Sequence, residues 1–482
     1  MLCEQPKDSE ERGARRCARR TRYSGRVVVC DMNKRLGYGH NGNMRRARAA
    51  GSLSRIAATA ILIAILALVS YAGAAPKDSS VTIEFWCSSN PQEIEWAKAV
   101  VGEWNRARKD ITVKLQPLPA SRSTEEALLA AIAAKTTPDV CANIYPGVVT
   151  QFVAAGGLYQ MDRLSDFIPF MEERLPQDIM EQHRSLDGHF YQVPWKGNPI
   201  MLAYNVKMLK EAGVDPLSLR TYSGFLKAAE KLTLDRDGDG RIDQWMIYLN
   251  IEPIWWQRFF DFYTLYIAAS GGRTLIEGNK AAFNNKAGVA AMGFLAELFK
   301  RGYAPKSTFP GDVFLQEKIA TYITGPFAIP FWESMKPKGF EYDFVHIPIP
   351  DFYSGKEVWT YSDPKNIGIF QTGKHPEEAW EFVKFMLSEK NDAMFLAMTS
   401  QMPYRKNLDE IEDFSSIAKK QPHLAKFMAQ SRYTQGADNV RPLVEIYDAI
   451  AEEYQYCAVL GRETPEEAME IAEERVNEIL SY

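Results

Sequence analysis

The spacing of apolar residues along positions 81–144 changes back and forth between two periods. Apolar side chains at every second position in 81–85 and 111–115, and a short apolar run over 140–144, predict three strands. Between the strands, apolar residues at helical spacing in 94–104 and 127–132 predict two helices. The resulting order, β-α-β-α-β, predicts an α/β fold with a parallel sheet flanked by helices. Ligands of such sheets bind in the loops beyond the carboxyl ends of the strands.

The later part of the chain shows the same two periods without an internal repeat. The pattern predicts helices over 206–212, over 221–232 and from Pro376, and a strand over 318–324. The sequence Thr464-Pro465-Glu466-Glu467 is typical of a capping box with proline in the first helical turn. It predicts a C-terminal helix whose apolar face comprises Ala468, Ile471, Ala472, Val476, Ile479 and Leu480.

An uncharged apolar run over 56–69 lies between an arginine cluster and Ala72-Gly73-Ala74. This order predicts a secretory signal peptide over 44–74 that is cleaved after Ala74. The run is short for a membrane-spanning helix, which needs about 20 residues; an uncleaved anchor is the alternative. No cysteine follows the run closely, so a lipoprotein is not expected. We interpret residues 1–43 as a non-native or disordered N-terminal extension.

Charge and cysteine content argue against nucleic-acid binding and against a disulfide-stabilised fold. Residues 1–55 carry 14 Lys and Arg against 5 Asp and Glu, whereas the rest of the chain carries 43 against 56. The acidic body argues against a nucleic-acid partner. Three cysteines remain after the predicted cleavage, Cys87, Cys141 and Cys457, and an odd number excludes a complete disulfide framework. Three buried thiols are expected, with a Cys87–Cys141 pair as the alternative.

Sequence signatures of catalysis and of nucleotide binding are missing. Neither strand-to-helix junction carries a glycine-rich phosphate loop, and the chain has no HExxH or GxSxG motif. The chain is therefore not expected to be an enzyme, and no cofactor is expected to be required.

One acidic loop resembles a calcium-binding loop. Asp235, Asp237, Asp239 and Asp243 occupy positions 1, 3, 5 and 9 of the pattern, with glycine at position 6. Position 12 is Met246, where a bidentate glutamate would normally complete the shell. The expectation is a structural Ca²⁺ site formed by Asp235, Asp237, Asp239, Arg241 and Asp243; the alternative is a solvated acidic turn.

Several short segments, taken in order, resemble the extracellular solute-binding proteins of ABC importers, the family that includes maltose-binding protein. The matching segments span nearly all of 76–482. They are 130–140 (AAIAAKTTPDV), 156–162, 187–194 (DGHFYQVP), Tyr204-Asn205 with 212–214, Gly325-Pro326, 378–382 and 461–480. One departure is Gln316-Glu317-Lys318, where the family usually has a Gly-Lys step.

The resemblance implies a two-lobe α/β fold of the periplasmic-binding-protein type, with parallel and mixed sheets and a ligand cleft at a hinge. Lobe one would comprise 76–196 and 341–374, and lobe two 197–340 and 375–482. Such a protein captures a carbohydrate or a similar small polar molecule outside the inner membrane and delivers it to ABC permease subunits. It would be exported, periplasmic or extracytoplasmic, and monomeric.

The resemblance also implies ligand-binding residues. The segment Glu252-Pro253-Ile254-Trp255-Trp256 matches a ligand-contacting segment of the family, and if it is a strand only one of its two indoles would face the ligand. Asn198 lies where maltose-binding protein has a contacting carboxylate, and Phe327 where the family often has a stacking tryptophan. Aromatic rings cover the apolar faces of sugars, and polar groups bind their hydroxyls. The predicted site comprises Ser89, Asn90, Tyr145, Trp195, Asn198, Glu252, Trp255, Trp256, Phe327, Trp332, Tyr361 and Arg405.

Two other classes of function remain open from the sequence. A secreted glycoside hydrolase would use two carboxylates across an aromatic-lined cleft. A sugar-sensing partner of a receptor would bind a ligand only to signal.

Overall fold

The computed structural model describes residues 80–119, 123–406, 408 and 410–482. The predicted extension over 1–43 and the predicted signal peptide over 44–74 lie outside the described residues. Within the described ranges, every helix is too short or too polar to cross a membrane.

The N-terminal part of the described chain has the predicted β-α-β-α-β order. The strands are β1 (Val81–Cys87), β2 (Ile111–Pro117) and β3 (Val140–Ile144), and the helices are α1 (Pro91–Ala107) and α2 (Thr124–Ala134). Strand β1 pairs in parallel with both β2 and β3, which confirms the predicted parallel sheet. Trp96, Ala97, Val100 and Trp104 of α1 are buried against this sheet, so the helical spacing of apolar residues explains the packing.

After three short helices and one more strand of this sheet, the chain builds a second sheet. The helices are α3 (Val149–Ala154), α4 (Phe167–Arg174) and α5 (Gln177–Gln182), and they are followed by β4 (Val193–Pro199) and β5 (Met201–Asn205). The second sheet has the order β10-β5-β9-β6 and contains β6 (Trp245–Ile247), β9 (Ile319–Thr324) and β10 (Tyr342–Val345). Its connecting elements are α6 (Val206–Glu211), α7 (Tyr222–Leu232), α8 (Phe262–Ser270), the hairpin β7 (Ile276–Glu277) and β8 (Lys280–Ala281), α9 (Lys286–Lys300) and α10 (Ala328–Met335).

The chain then returns to the first sheet through β11 (Thr360–Ile369), which pairs with β3, β4 and β12 (Thr434–Gln435). The remaining helices are α11 (Pro376–Met386), α12 (Glu389–Thr399), α13 (Glu412–Lys420), α14 (Pro422–Gln430), α15 (Leu443–Tyr454) and α16 (Pro465–Leu480). The predicted lobe boundaries stay a prediction. Strand β10 pairs with β5 of the second sheet, so the chain returns to the first sheet after Val345.

The C-terminal helix α16 begins as the sequence predicts. The Thr464 hydroxyl accepts a hydrogen bond from the Glu467 backbone N–H, and the Glu467 carboxylate accepts one from the Thr464 N–H. The predicted apolar face is largely buried, but Ile471 is 37% exposed and Met469 is fully buried in its place. The helix is therefore rotated slightly toward Met469.

The cysteine pair left open by the sequence is excluded by the sheet register. Trp86 and Cys141 are direct partners across β1 and β3, so their side chains point to the same face of the sheet. Cys87 follows Trp86 and points to the opposite face, where it joins a different hydrophobic cluster from Cys141. Cys87, Cys141 and Cys457 are free and buried, as predicted.

Strands β4 and β11 form an antiparallel pair, one face of which carries charged side chains. Lys365 is the register partner of Lys196, and Asp363 is the partner of Asn198. Because side chains alternate along a strand, Tyr361, Asp363 and Lys365 share one face of the pair. Ser362 and Pro364 belong to the other face.

Candidate functional site

A cavity of about 270 Å³ lies against the face of β11 that carries Tyr361, Asp363 and Lys365. Three further segments line it: the start of α2, the loop after β3, and a short helical segment before α8. Their lining residues are Ser123, Thr124, Glu125, Tyr145, Trp255, Trp256, Phe259 and Phe260. Tyr145, Trp255, Trp256 and Tyr361 belong to the site predicted from the sequence, and the structure brings these four together.

Local structure explains how α2 and β3 present their residues. Ser123 is the N-cap of α2, and its hydroxyl accepts a hydrogen bond from the Glu126 N–H, which places Glu125 in the first turn. Tyr145 directly follows the carboxyl end of β3. Both positions agree with the rule that ligand sites form beyond the carboxyl ends of parallel strands.

The two adjacent tryptophans belong to a 3₁₀-helix, Trp255–Phe260, and not to a strand. Both indoles line the cavity, whereas a strand would have turned only one of them toward it. In a helical turn, consecutive side chains are separated by about a third of a turn and can share one wall.

A buried arginine braces this helical segment. Arg258 is fully buried, and its guanidinium forms an ion pair with Asp261 at 2.8 Å. The guanidinium also donates a hydrogen bond to the Asn250 carbonyl at 3.2 Å and lies 3.5 Å from the ring centre of Tyr454 on α15. These contacts hold the segment that carries Trp255 and Trp256 against α15.

The aromatic rings form a continuous apolar wall. The ring centres of Tyr145 and Phe259 are 5.2 Å apart, and those of Phe259 and Tyr361 are 5.0 Å apart in a stacked arrangement. Trp255 lies 6.2 Å from Tyr145 and 5.9 Å from Phe259. Aromatic pairs at these distances stabilise each other, so the four rings form one packed surface.

Charged side chains of β11 and α2 form the polar wall. The Lys365 ammonium lies 3.5 Å from the Glu125 carboxylate and 5.0 Å from the ring centre of Tyr145. Burial alone would lower the pKa of Lys365, but the carboxylates of Glu125 and Asp363 outweigh it and raise that pKa. Burial raises the pKa of Asp363, and the opposing effects of Lys365 and Lys196 do not cancel it.

A second layer of buried polar groups supports this wall. The Lys196 ammonium pairs with Glu93 of α1 at 2.6 Å, and the Gln401 amide donates to the same Glu93 oxygen at 2.7 Å. Asn198 donates to the Gln401 side chain at 3.0 Å and accepts from the Met402 N–H at 3.2 Å. Asn198, predicted to contact the ligand, is therefore fully buried and used within the protein.

Two predicted tryptophans are core residues in the structure. Trp195 is 1% exposed and packs 4.7 Å from Phe395 and 5.3 Å from Trp96. Trp332 is also 1% exposed, and its ring centre lies 4.7 Å from that of Phe314 in a hydrophobic cluster with residues of the second sheet. Its indole N–H donates a hydrogen bond to Asp312. Neither ring has a face free for a ligand, because each is enclosed by other side chains.

The other predicted residues lie outside the cavity. Ser89 is exposed, and Asn90 is the N-cap of α1, where its side chain accepts hydrogen bonds from the Gln92 and Glu93 N–H groups. Glu252 is exposed and does not line the cavity. Phe327 lies behind the wall, 6.4 Å from Phe260.

A larger cavity, of about 470 Å³, involves the opposite face of the β4–β11 pair. Gly197, Pro364, Tyr404, Arg405 and Asp438 are among its lining residues. Arg405 was predicted for the ligand site, but its guanidinium is held by Asp392 at 2.6 Å and by the Leu387 carbonyl at 2.7 Å. Of the twelve predicted ligand residues only Arg405 lines this cavity, whereas four line the smaller one, which is therefore the candidate site.

Sequence reasoning missed the polar half of the site. Glu125, Asp363 and Lys365 were not predicted, and neither were Phe259 and Phe260. The alternation of Tyr361, Asp363 and Lys365 within a strand was the available signal, because it places one aromatic and two charged groups on one face.

The acidic loop over 235–243 is turned in on itself. One carboxylate oxygen from each of Asp235, Asp237 and Asp239 lies within 4.8 Å of the other two, and all three residues are exposed. The Asp235 carboxylate accepts hydrogen bonds from the Gly238 and Gly240 N–H groups at 2.7 and 2.8 Å. Asp243 accepts one from the Arg236 N–H at 2.8 Å. The oxygen donors suit a hard cation such as Ca²⁺.

Comparison with known proteins identifies the family. Residues 89–393 match the family described as bacterial extracellular solute-binding protein. The chain belongs to this family. A maltotriose-binding protein of Pyrococcus abyssi is 24% identical over 332 residues, which cover 66% of this chain and 64% of that relative. The chain thus spans slightly less than two thirds of the length of this relative.

Solved structures show the same fold. An uncharacterized protein of Listeria monocytogenes is 27% identical, with a TM-score of 0.68 over 83% of this chain and 100% of that one. The cyclic alpha-maltosyl-1,6-maltose binding protein of Arthrobacter globiformis is 19% identical, with a TM-score of 0.69 over 83% and 99% of the two chains. The α/β solute-binding-protein fold predicted from the sequence is confirmed.

Proposed function

We propose that this extracellular solute-binding protein captures a carbohydrate in the cavity beside β11 and delivers it to the permease subunits of an ABC importer. The cavity carries the proposal, because it combines aromatic faces with carboxylate and ammonium groups. Sugars offer apolar C–H faces and hydroxyl edges, which match these two walls. The similarity to a maltotriose-binding protein supports a sugar as the ligand.

The protein acts, in this proposal, as an exported monomer in the periplasm or another extracytoplasmic space, and it is not lipid-anchored. Binding without catalysis is the role supported by the family and by the site. A glycoside hydrolase needs one carboxylic acid and one carboxylate free to act on the scissile bond. Here the described lining residues include two carboxylates, Glu125 and Asp363. Glu125 forms an ion pair with Lys365, so Asp363 has no second free carboxylate with which to act.

We propose further that the Asp235–Asp243 loop binds Ca²⁺ in a structural role. The convergence of three carboxylates within 4.8 Å supports this proposal. The ion would stabilise the loop between α7 and β6 and would take no part in ligand capture.

A thermal-shift screen of mono- and oligosaccharides, followed by calorimetric titration, tests the sugar proposal. A ligand that binds only the folded protein raises the melting temperature. Trp255→Ala and Trp256→Ala should each weaken binding of the best ligand by about tenfold to a hundredfold, through loss of roughly 1–3 kcal/mol of face contact.

The matched control is Phe331→Ala, which removes an aromatic ring that is 43% exposed and lies outside the cavity. This variant should bind like the parent. Unchanged affinity in both folded tryptophan variants would show that the site is elsewhere. Degradation of the sugar during the titration would favour the hydrolase.

A further inference from the structure

The charges around the candidate site do not balance. Five charged side chains of the described residues form or support its polar wall: Glu93, Glu125, Lys196, Asp363 and Lys365. Four of them are paired, Lys196 with Glu93 at 2.6 Å and Lys365 with Glu125 at 3.5 Å. Within the described chain, no hydrogen bond or ion pair reaches the Asp363 carboxylate, although it lines the cavity. The group as a whole carries one excess negative charge.

The pKa of Lys365 agrees with this count, and the pKa of Asp363 reflects the cost of burying an unpaired carboxylate. The pKa of Lys365 is raised even though burial acts to lower it, so the potential at this ammonium is negative. The pKa of Asp363 is raised by burial, and its lysine neighbours do not compensate. The cavity therefore favours positive charge, and the Asp363 carboxylate gains most from a cationic partner.

The aromatic wall adds to the same preference. The faces of aromatic rings attract cations, most strongly the face of tryptophan. Lys365 already lies 5.0 Å from the ring centre of Tyr145. Trp255 and Trp256 line the same cavity and are available to a ligand cation or to the C–H groups that flank it.

We propose that the solute is an amino sugar, whose protonated amine pairs with Asp363 while its ring lies against the indoles of Trp255 and Trp256. This inference rests on the proposed function, since it specifies the class of sugar. A sugar ammonium would replace one hydroxyl, donate hydrogen bonds to both Asp363 oxygens and neutralise the excess charge.

Calorimetric titration with matched pairs of sugars tests the proposal. Within each pair, the hydroxyl at carbon 2 of every ring is replaced by an amine: glucose with glucosamine, galactose with galactosamine, mannose with mannosamine, and cellobiose with its diamino counterpart. At least one amino member should bind about tenfold or more tighter than its hydroxyl twin, the range expected for one charge-assisted hydrogen bond. N-acetylated twins, which carry no charge, should lose this advantage.

Asp363→Asn tests whether the negative charge of Asp363 causes the preference, because the asparagine amide is uncharged and has nearly the same size as the carboxylate. The variant should lose the preference for the amine, so that the amino member and its hydroxyl twin bind it with affinities within about threefold of each other. Asp413→Asn, on the exposed first turn of α13, makes the same chemical change away from the cavity and should keep the preference. Melting temperatures of both variants show whether they are folded.

The failures of the two proposals are distinguishable. Equal or tighter binding of every hydroxyl twin would overturn the amino-sugar inference and leave sugar binding intact. Binding of choline, a cation without a sugar ring, with no binding of any sugar would overturn both. An amine preference that survives in a folded Asp363→Asn variant would also contradict the role assigned to Asp363.

Discussion

Glu317 occupies a backbone conformation that disfavours its side chain. Its φ is 54°, in the left-handed region, at the turn that leads into β9. Glu317 lies in the Gln316-Glu317-Lys318 segment, where the sequence departs from the Gly-Lys step that is usual in the family. The structure supplies the reason, since a left-handed non-glycine residue costs roughly 1–2 kcal/mol.

Glu317→Gly should therefore stabilise the protein by about 0.5–1 kcal/mol, after the entropy lost by the more flexible glycine is subtracted. Chemical denaturation measures the change. The weak ion pair with Lys207, at 3.7 Å, is lost in this variant and also in Glu317→Ala. The alanine control keeps the left-handed strain and should show no gain; an equal gain in both variants would rule out the conformational explanation.

Asp438 is a buried carboxyl group with only one of its two oxygens satisfied. One oxygen accepts a hydrogen bond from the Ile276 N–H at 2.8 Å, while the other has no partner, and the residue is 4% exposed. Burial raises the pKa of Asp438 to about 7. A raised carboxyl pKa means that the folded state holds its proton more tightly than the unfolded state does.

The stability contributed by protonated Asp438 is fully present below about pH 4 and is lost as the pH rises through about 7. Asp438→Asn mimics the protonated form at every pH. The difference in melting temperature, variant minus parent, should therefore become more positive between pH 5 and pH 8. A difference that is constant over this range would show that Asp438 does not titrate there.

At the scale of elements, helices and strands with clear periodicity were predictable. Local sequence patterns predict the opening β-α-β-α-β order, helix α7 after its Thr221 cap and the capping box of α16. Tertiary contacts do not override these local preferences. The tryptophan segment is a 3₁₀-helix, whereas the strand considered from the sequence would have turned its two indoles to opposite faces. Its 3₁₀ conformation depends on Arg258, Asp261 and Tyr454, contacts that local spacing does not reveal.

The calcium proposal is tested on its loop. If the loop over 235–243 binds Ca²⁺, a chelator should lower the melting temperature of the parent and have no effect on Asp237→Ala, because an ion that binds only the folded state stabilises it. Asp187→Ala removes an exposed carboxylate elsewhere and should keep the response to chelator. Identical melting curves of the parent with and without chelator would instead indicate a solvated turn.

At the scale of the whole molecule, the site combines residues far apart in sequence. Glu125 and Tyr145 come from the first sheet and its helices, Trp255 and Trp256 from the middle of the chain, and Asp363 from the returning strand. The family resemblance located the aromatic half. The alternation within β11 places Asp363 and Lys365 on one face with Tyr361, but the elements that this face meets depend on the long-range pairing of β11 with β3 and β4, which no local pattern encodes.

This arrangement predicts that ligand binding closes the molecule. A ligand that touches both Tyr145 and the Trp255–Trp256 pair favours whichever conformation brings these walls nearest. Small-angle scattering should show a smaller radius of gyration with saturating sugar, and a Trp255→Ala, Trp256→Ala double variant should not respond at the same sugar concentration. Superimposable scattering of the parent with and without ligand would argue against closure.

The three separated thiols have a practical consequence for labelling. Burial raises the pKa of Cys87, Cys141 and Cys457 to about 12, so the reactive thiolate is scarce at neutral pH. A cysteine introduced at Leu186, which is 77% exposed, would outcompete them for a maleimide dye. A protein spanning 80–482, in which these three are the native cysteines, could thus carry a single fluorophore and serve as an optical sensor for its solute.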